Sequence, residues 1–503
     1  MSIGLQNTAS RFYTWIKKEL IQKKFLSPWG IPILLMIAVA GGFFAAKDLF
    51  FVPIAIGALL IGLVVIYFCL FSPLVGFYIV NIAGIFVFYP NHLLGQELLP
   101  LSTALEILIL FLFLGTFISK RSGDIHKTGL LKTMVGIMLM VNTIYIAIEV
   151  FNPNVYGIST WFGAFKRSMV FVLLFVIAYR VIDTMNKMRF FIKFWVLLSF
   201  IIALYGCFQQ WFGYLPMEIN YIMSTPGTFE LLFQGGQLRK FSFLSDVVSF
   251  GVLAGSMAVF TIILAIGTPH STRKYMLFFF ALIMMLGMAY SGTRTTTIII
   301  PVGLILYGFI TIQNKTTLIT LFIGVLFAMG VLFAPIYTNP TLNRVRSTFD
   351  SKDESLNLRD RNRHYIQPYL YQHPIGGGIG TTNFLGLYQH PYHPLAGFPT
   401  DSGLLKVGLE LGWVGLIILM LFQLSIFYQG IYYYFKMHNK ELRLYMVMIL
   451  CTLFPVIVAQ YAQETVGQFP GGIFFFCCLS LMKRLLELDE QLQAKNIQRS
   501  NNL

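Results

Sequence analysis

The chain has 503 residues, 56% of them hydrophobic and only 11% charged, with a mean hydropathy of +0.72. Soluble globular proteins carry about 25% charged residues, so a water-facing surface is excluded over most of this chain. The formal net charge of +15 would suggest nucleic acid in a soluble protein; here it reads as cytoplasmic loops held beside anionic lipid.

In chain order, residues 1–29 carry Arg11, Lys17, Lys18, Lys23 and Lys24 without a small-residue cleavage site after them. They are expected to be a retained cytoplasmic segment rather than a removable signal. Apolar runs long enough to cross a hydrocarbon core of about 30 Å then recur along the whole length. The predicted spans are 30–46, 50–71, 73–89, 101–119, 130–150, 166–183, 189–212, 243–266, 275–290, 295–312, 316–336, 403–434, 443–462 and 468–486. The run after Leu49 could instead form a re-entrant pair with its neighbour, so twelve to fourteen spans are expected. Backbone groups in lipid must be satisfied internally, so the spans are helices. The fold class is therefore all-α, a polytopic integral membrane protein with one long outer loop. Cys69, Cys207, Cys451, Cys477 and Cys478 fall inside apolar runs and read as small core fillers, not disulfides or metal ligands.

Orientation follows from counting Lys and Arg. With the N-terminus inside, 23 of the 36 fall in short inner loops. Of those left on the outer face, all but Lys47, Lys166 and Arg167 lie from Arg239 to Lys406. Positive charge is concentrated where the topology disfavours it. The expected organisation is a cytoplasmic segment 1–29, a helix bundle 30–336, a periplasmic loop domain 337–402, C-terminal spans 403–486 and a cytoplasmic tail 487–503. Loops beyond about 15 residues are usually functional or disordered; the one at 337–402 is rich in aromatics, proline and glycine and holds four of the eight histidines, so it reads as folded.

Three groups of residues in this half could carry chemistry. Arg294 stands at a helix mouth, Arg239 and Lys240 precede another, and Arg359, Arg361 and Arg363 cluster before His364. Guanidinium forks match phosphate oxygens, although Arg294 could snorkel to headgroups and the triple cluster could pair with Asp350, Asp353, Glu354 and Asp360. Asp401 lies where the long loop meets a helix, either as part of an N-cap or as a general base toward a hydroxyl. Lys406 and Glu410 are one helical turn apart and could satisfy each other. His390 and His393 sit three residues apart among aromatics able to stack on sugar rings, with no further ligand at convincing metal spacing.

These residues resemble the O-antigen ligase and polymerase superfamily of bacterial membrane glycan transferases, over about Arg239 to Gly415. Arg363 precedes the Gly-rich turn Pro374-Ile375-Gly376-Gly377-Gly378-Ile379-Gly380, and Thr293-Arg294 matches a Ser/Thr-x-Arg helix start. Ligases further carry a His, then Asn, Ser or Gln, nine residues and Gly-x-x-Gly. Ser402 and Gly412-Trp413-Val414-Gly415 fit, but Asp401 replaces the histidine.

The resemblance implies a metal-independent glycosyltransferase needing no cofactor. It would move a glycan from undecaprenyl diphosphate to an acceptor hydroxyl at the outer face of the bacterial inner membrane, with both termini cytoplasmic. Its partners would be a lipid-linked glycan donor, a glycan or lipid-linked acceptor and the membrane, with no nucleic acid. Arg294 and Arg363 would hold the diphosphate, with Arg239 and Arg361 as further candidates. Asp401 would act as base, with His393 or His390 as stand-ins. Asp401 fits a polysaccharide polymerase at least as well as a ligase. The alternative is a flippase for lipid-linked oligosaccharide.

Overall fold

Apolar stretches with no water to satisfy their backbone close into helices, and the computed structural model of the chain is built almost wholly from them. It describes residues 51–94, 101–118, 129–154, 158–225, 227–234, 236–313, 340–346 and 354–501, with isolated positions between 319 and 333. The chain divides into two compact units, Met1–Phe68 and Cys69–Leu503. In the first, the described part belongs to the apolar helix α1 (Phe51–Phe71). The second carries the remaining elements. The expected spans 30–46 and, apart from isolated positions, 316–336 lie outside the described residues.

The second unit runs α2 (Pro73–Phe86), α3 (Tyr89–Leu94), α4 (Leu101–Ile118), α5 (Met134–Ile148), α6 (Ile158–Val181) and α7 (Met185–Phe212). A small outer element follows, made of α8 (Pro216–Ser224), α9 (Thr228–Leu232) and the antiparallel pair β1 (Phe233–Gln234) and β2 (Gln237–Leu238). Then come α10 (Val247–Ile266), α11 (Ser271–Tyr290), α12 (Arg294–Thr297), α13 (Ile299–Ile310), α14 (Pro340–Arg346), α15 (Glu354–Gln372) and α16 (Asn383–Gln389). The chain ends with α17 (Gly403–Lys436), α18 (Lys440–Ala459) and α19 (Gly471–Asn501). Among the described residues, nine helical stretches are long and apolar enough to cross a membrane. The all-α polytopic membrane class expected from composition is the class observed.

Helix α10 is the centre of the bundle: it is buried on nearly every side and packs on α7, α11, α13 and α18. Small residues allow this. Gly251 lies under Ser291 and Thr296, and a Cβ at Gly255 would lie 3.0 Å from the Met288 sulfur, the close helix approach that small residues permit in lipid. Its start is fixed by Asp246, whose Oδ1 accepts from the Val248 and Ser249 amides at 2.8 and 2.9 Å.

Three expectations are corrected. The span predicted at 166–183 begins eight residues earlier, at Ile158, so Lys166 and Arg167 lie about two turns inside α6 instead of in an outer loop. Lys166 is compensated there by Glu106 at 2.6 Å. The last helix continues unbroken from Gly471 to Asn501, well past the expected boundary at 486. Its Asp489 accepts from the His438 and Asn439 amides at 3.0 and 2.7 Å, tying it to the α17–α18 connection.

The third correction shapes the candidate site. The run 403–434, expected to be one span, is two helices joined at Gly412, whose φ of 68° and ψ of −168° are non-helical. In a straight helix Gly403 and Gln423 would stand about 30 Å apart. Instead both reach Gln460. A Cβ at Gly403 would lie 2.7 Å from Gln460 Cγ, and Gln423 Nε2 donates to Gln460 Oε1 at 2.6 Å. The segment is therefore a helical hairpin. Its first arm, 403–411, rises from inside the bundle to the turn, and its second arm, 413–436, descends along α5.

Candidate active site

The reversal at Gly412 is held by the Gly-rich turn after α15. Gly377 and Gly378 donate to the carbonyls of Leu409 and Glu410 at 2.8 and 2.9 Å, and Val414 N reaches Pro374 O at 3.4 Å. These carbonyls end a helix and would otherwise be unpaired. From the α5–α6 connection, Asn152 and Asn154 donate to the Ile375 and Gly376 carbonyls at 3.0 and 2.9 Å, while Tyr145 OH takes Leu411 O at 2.8 Å. Gly376 has φ +76°, and a Cβ there would come within 2.5 Å of Glu410 O. The turn and the Gly-x-x-Gly segment thus pack backbone against backbone. Glu410, buried, accepts from the Thr382 hydroxyl and the Gly380 amide, which closes the clamp.

Because the first arm starts deep, so does the residue before it. Ser402 caps the arm, its hydroxyl accepting from Leu405 N at 3.3 Å and donating to Gln460 O at 3.4 Å. Next to it, Asp401 lines a cleft of about 210 Å³ together with Asp246, Val248, Thr400, Gln463, Glu464 and Gln468. The floor is the polar connection between α18 and α19. Sequence reasoning passed over that connection. Its signal was present as Gln460, Gln463, Glu464 and Gln468 between two apolar runs.

Helix α15 brings arginine to the cleft. Arg359 Nε lies 3.0 Å from Asp401 Oδ2. One turn on, and so on the same face, Arg363 donates to Tyr461 OH at 2.7 Å and Tyr461 O at 3.1 Å, with its guanidinium 4.4 Å from the ring centroid. Arg361 stands about 200° round the helix from Arg359, exposed on the other side. The remaining acids are engaged: Glu464 pairs with Lys406 at 3.0 Å, and Asp246 is spent on its cap. Lys406 and Glu410 therefore do not satisfy each other alone, as each has its own partner.

Arg294 opens α12, on the far side of the α10 N-terminus. The neighbouring Thr293 hydroxyl donates to Val247 O at 3.3 Å, one residue from Asp246 in the cleft wall. Arg239 is buried and holds that turn: its Nε donates to Ser291 O at 3.0 Å and Nη2 to Thr293 Oγ1 at 2.7 Å. Both histidines are also buried. His390 Nε2 lies 3.3 Å from Thr160 Oγ1, and His393 Nδ1 accepts from Leu395 N at 3.1 Å. Burial, with His390 and His373 nearby, pushes the His393 imidazole below its ordinary value, which favours its neutral form. Neither histidine lines the cleft.

The structure thus pairs Asp401 with Arg359 and places Arg363, one turn along the same helix, on Tyr461 of the 460–470 connection. Arg294 follows a turn that Arg239 clasps and Thr293 ties to the start of α10, while His390, His393 and Arg361 lie elsewhere. A carboxylate held by a guanidinium can accept a proton from a hydroxyl, and guanidinium groups near it can oppose charge developing on a leaving group.

Residues 278–420 match the family model described as O-antigen ligase, in agreement with the superfamily resemblance read from the motifs. The matched stretch contains Arg294, Arg363, Asp401, the first arm of the hairpin and the first eight residues of the second. Arg239 and the 460–470 connection lie outside it. No curated protein matches the chain significantly.

Proposed function

We propose, from the O-antigen ligase match over residues 278–420, that the chain transfers a glycan from a polyprenyl diphosphate carrier to an acceptor hydroxyl. The transfer would occur in the cleft beside Asp401, at the outer face of the bacterial inner membrane. The observation that carries this reading is the Asp401–Arg359 pair, with Arg363 one turn away, over a polar cleft sunk among membrane helices. Fixed cations at membrane depth are costly and mark functional paths.

In this reading the acceptor oxygen attacks the anomeric carbon of the donor. The bond from that carbon to the diphosphate oxygen breaks, and the electron pair leaves with the diphosphate. Asp401 takes the acceptor hydroxyl proton; Arg359 fixes its orientation. Arg363 and Arg294 stabilise the charge gathering on the diphosphate, the stage at which fixed donors act most. Tyr461, exposed in the 460–470 connection beside Arg363, supplies a ring face for a sugar. No metal takes part in this scheme. The Asp401 carboxylate supports a polymerase, in which both donor and acceptor are lipid-linked glycans, at least as well as a ligase.

The test is Asp401→Asn, which keeps size and shape while removing the base. The expected result is a loss of polymer or ligated glycan of at least a hundredfold, with lipid-linked units accumulating on the outer leaflet and partial activity for Asp401→Glu. Single repeat units on the carrier would identify a polymerase and long carrier-linked chains a ligase. Undiminished product from D401N, or lipid-linked units trapped on the cytoplasmic leaflet as for a lost flippase, would overturn the reading.

A further inference from the structure

Arg167 belongs to no predicted site and lies outside the matched family segment, yet its position calls for a ligand. It sits about two turns inside the membrane-spanning helix α6. Residues seven apart on a helix share a face, so Arg167 lies below Thr160, and one further turn in lies Phe171. Thr160 faces the folded loop, beside His390, and its side chain lies under Gly380. Phe171 packs on Phe469 and Phe476, and a Cβ at Gly467 would sit 3.8 Å from its ring. Arg167 stands between them on the face that looks inward, above the 460–470 connection that floors the Asp401 cleft.

Despite that inward direction Arg167 is exposed, so the space before it is open. Among the described residues it makes no hydrogen bond and no ion pair. Its neighbour Lys166, on another face, is paired with Glu106 at 2.6 Å. The charge it acts on is another cation, Lys406, itself held by Glu464 at 3.0 Å. A guanidinium at this depth, facing open space and a like charge, needs an anion from outside the protein. The cleft carboxylates are already engaged, Asp401 by Arg359, Glu464 by Lys406 and Asp246 by the start of α10.

We infer that Arg167 is a phosphate-gripping residue of this cleft, taking the diphosphate of a prenyl-linked donor from the α6 side while Asp401 faces the acceptor. The inference rests on the proposed transfer reaction and adds to it a cation from the N-terminal half. A planar fork at membrane depth suits a diphosphate whose prenyl tail stays in lipid. Lys406 adds a second positive charge without giving up Glu464.

The experiment uses the full chain in phosphatidylcholine nanodiscs, with farnesyl diphosphate as the probe and farnesol and inorganic diphosphate as controls. Arg167→Ala is expected to weaken farnesyl diphosphate binding at least tenfold and Arg167→Lys less, while Asp401→Asn binds like the wild type and fails only in transfer. Arg167→Gln, with an unfolding midpoint matching the wild type, separates lost binding from lost fold. Wild-type affinity in R167A and R167Q would overturn the inference and leave the transfer reading standing if D401N is inactive. Equal affinity for inorganic and farnesyl diphosphate would also overturn it, since the site would then hold a free anion. An active D401N would instead sink the role of Asp401 in the transfer reading, and Arg167-dependent farnesyl diphosphate binding would still support the inference on its own.

Discussion

At the scale of single residues, arginines equally visible in the sequence do different work. Arg359 pairs with Asp401 in the cleft and Arg363 holds Tyr461, whereas Arg239 is consumed by the turn that carries Arg294 and is best read as a positioning residue. Lys240, beside it, illustrates the cost of burial. It lies 4.6 Å from the Tyr214 ring centroid, and burial lowers its ammonium to about 8, with Glu218 opposing. Between about pH 8 and its ordinary 10.5 the unfolded chain keeps this proton and the folded chain does not, so stability rises with pH across that window. Below it the full penalty applies. The shift from 10.5 to about 8 corresponds to on the order of 3 kcal/mol, and loss of the cation–π contact offsets about 1 kcal/mol. Lys240→Met should therefore stabilise the purified protein at pH 7 by about 2 kcal/mol and flatten the slope above pH 8. Denaturation in detergent across that range measures both, and an unchanged slope would refute the burial argument.

At the scale of elements, the sequence displayed the helices but not the hairpin. Apolar length alone demands helices, so α2, α4, α5, α7, α11 and α18 fall within a few residues of their predicted spans. The run from Gly403 to Lys436 has neither proline nor a charged break near its middle, and nothing local distinguishes one long helix from two folded at Gly412. What decides it is long-range: Gln460 holds both arms, and the turn 374–378 covers the carbonyls freed at the reversal. The Gly-x-x-Gly motif was legible as a motif, but its backbone role was not. Arg167 was misplaced for a related reason. The Lys166–Arg167 pair looks like a loop until Glu106, on another helix, supplies a partner. Gly412→Ala tests the hairpin. Its Cβ would overlap the Pro374 carbonyl at a backbone conformation disfavoured for alanine, a cost of about 3 kcal/mol or more. Gly163→Ala is the control, since nothing lies within 4 Å of its Cβ and it is helical. G412A should unfold at markedly lower temperature and lose transfer, while G163A should match the wild type. Equal midpoints would mean that the reversal is not required.

At the scale of the whole molecule, the donor site acts outside the cytoplasm only if the chain is threaded as its charges predict. The loop residues 372–402, the start of α10 and the 460–470 connection meet at one end of the second unit. The chain reaches the opposite end at the Lys- and Arg-rich connections near 183, 270 and 438. The positive-inside bias assigns that second end to the cytoplasm. The five native cysteines are buried, which makes a direct test possible without removing them, because an introduced surface thiol is the accessible one. Tyr392 is fully exposed in the folded loop, and Gln491 is exposed on the far extension of α19. In intact spheroplasts a membrane-impermeant maleimide should label Tyr392→Cys at once and Gln491→Cys only after permeabilisation. The reverse pattern would place the Asp401 cleft on the cytoplasmic side, where the carrier is loaded. The acceptor chemistry argued for Asp401 would then have to be reassigned to that compartment, because the same residues would meet the donor before it crossed the membrane.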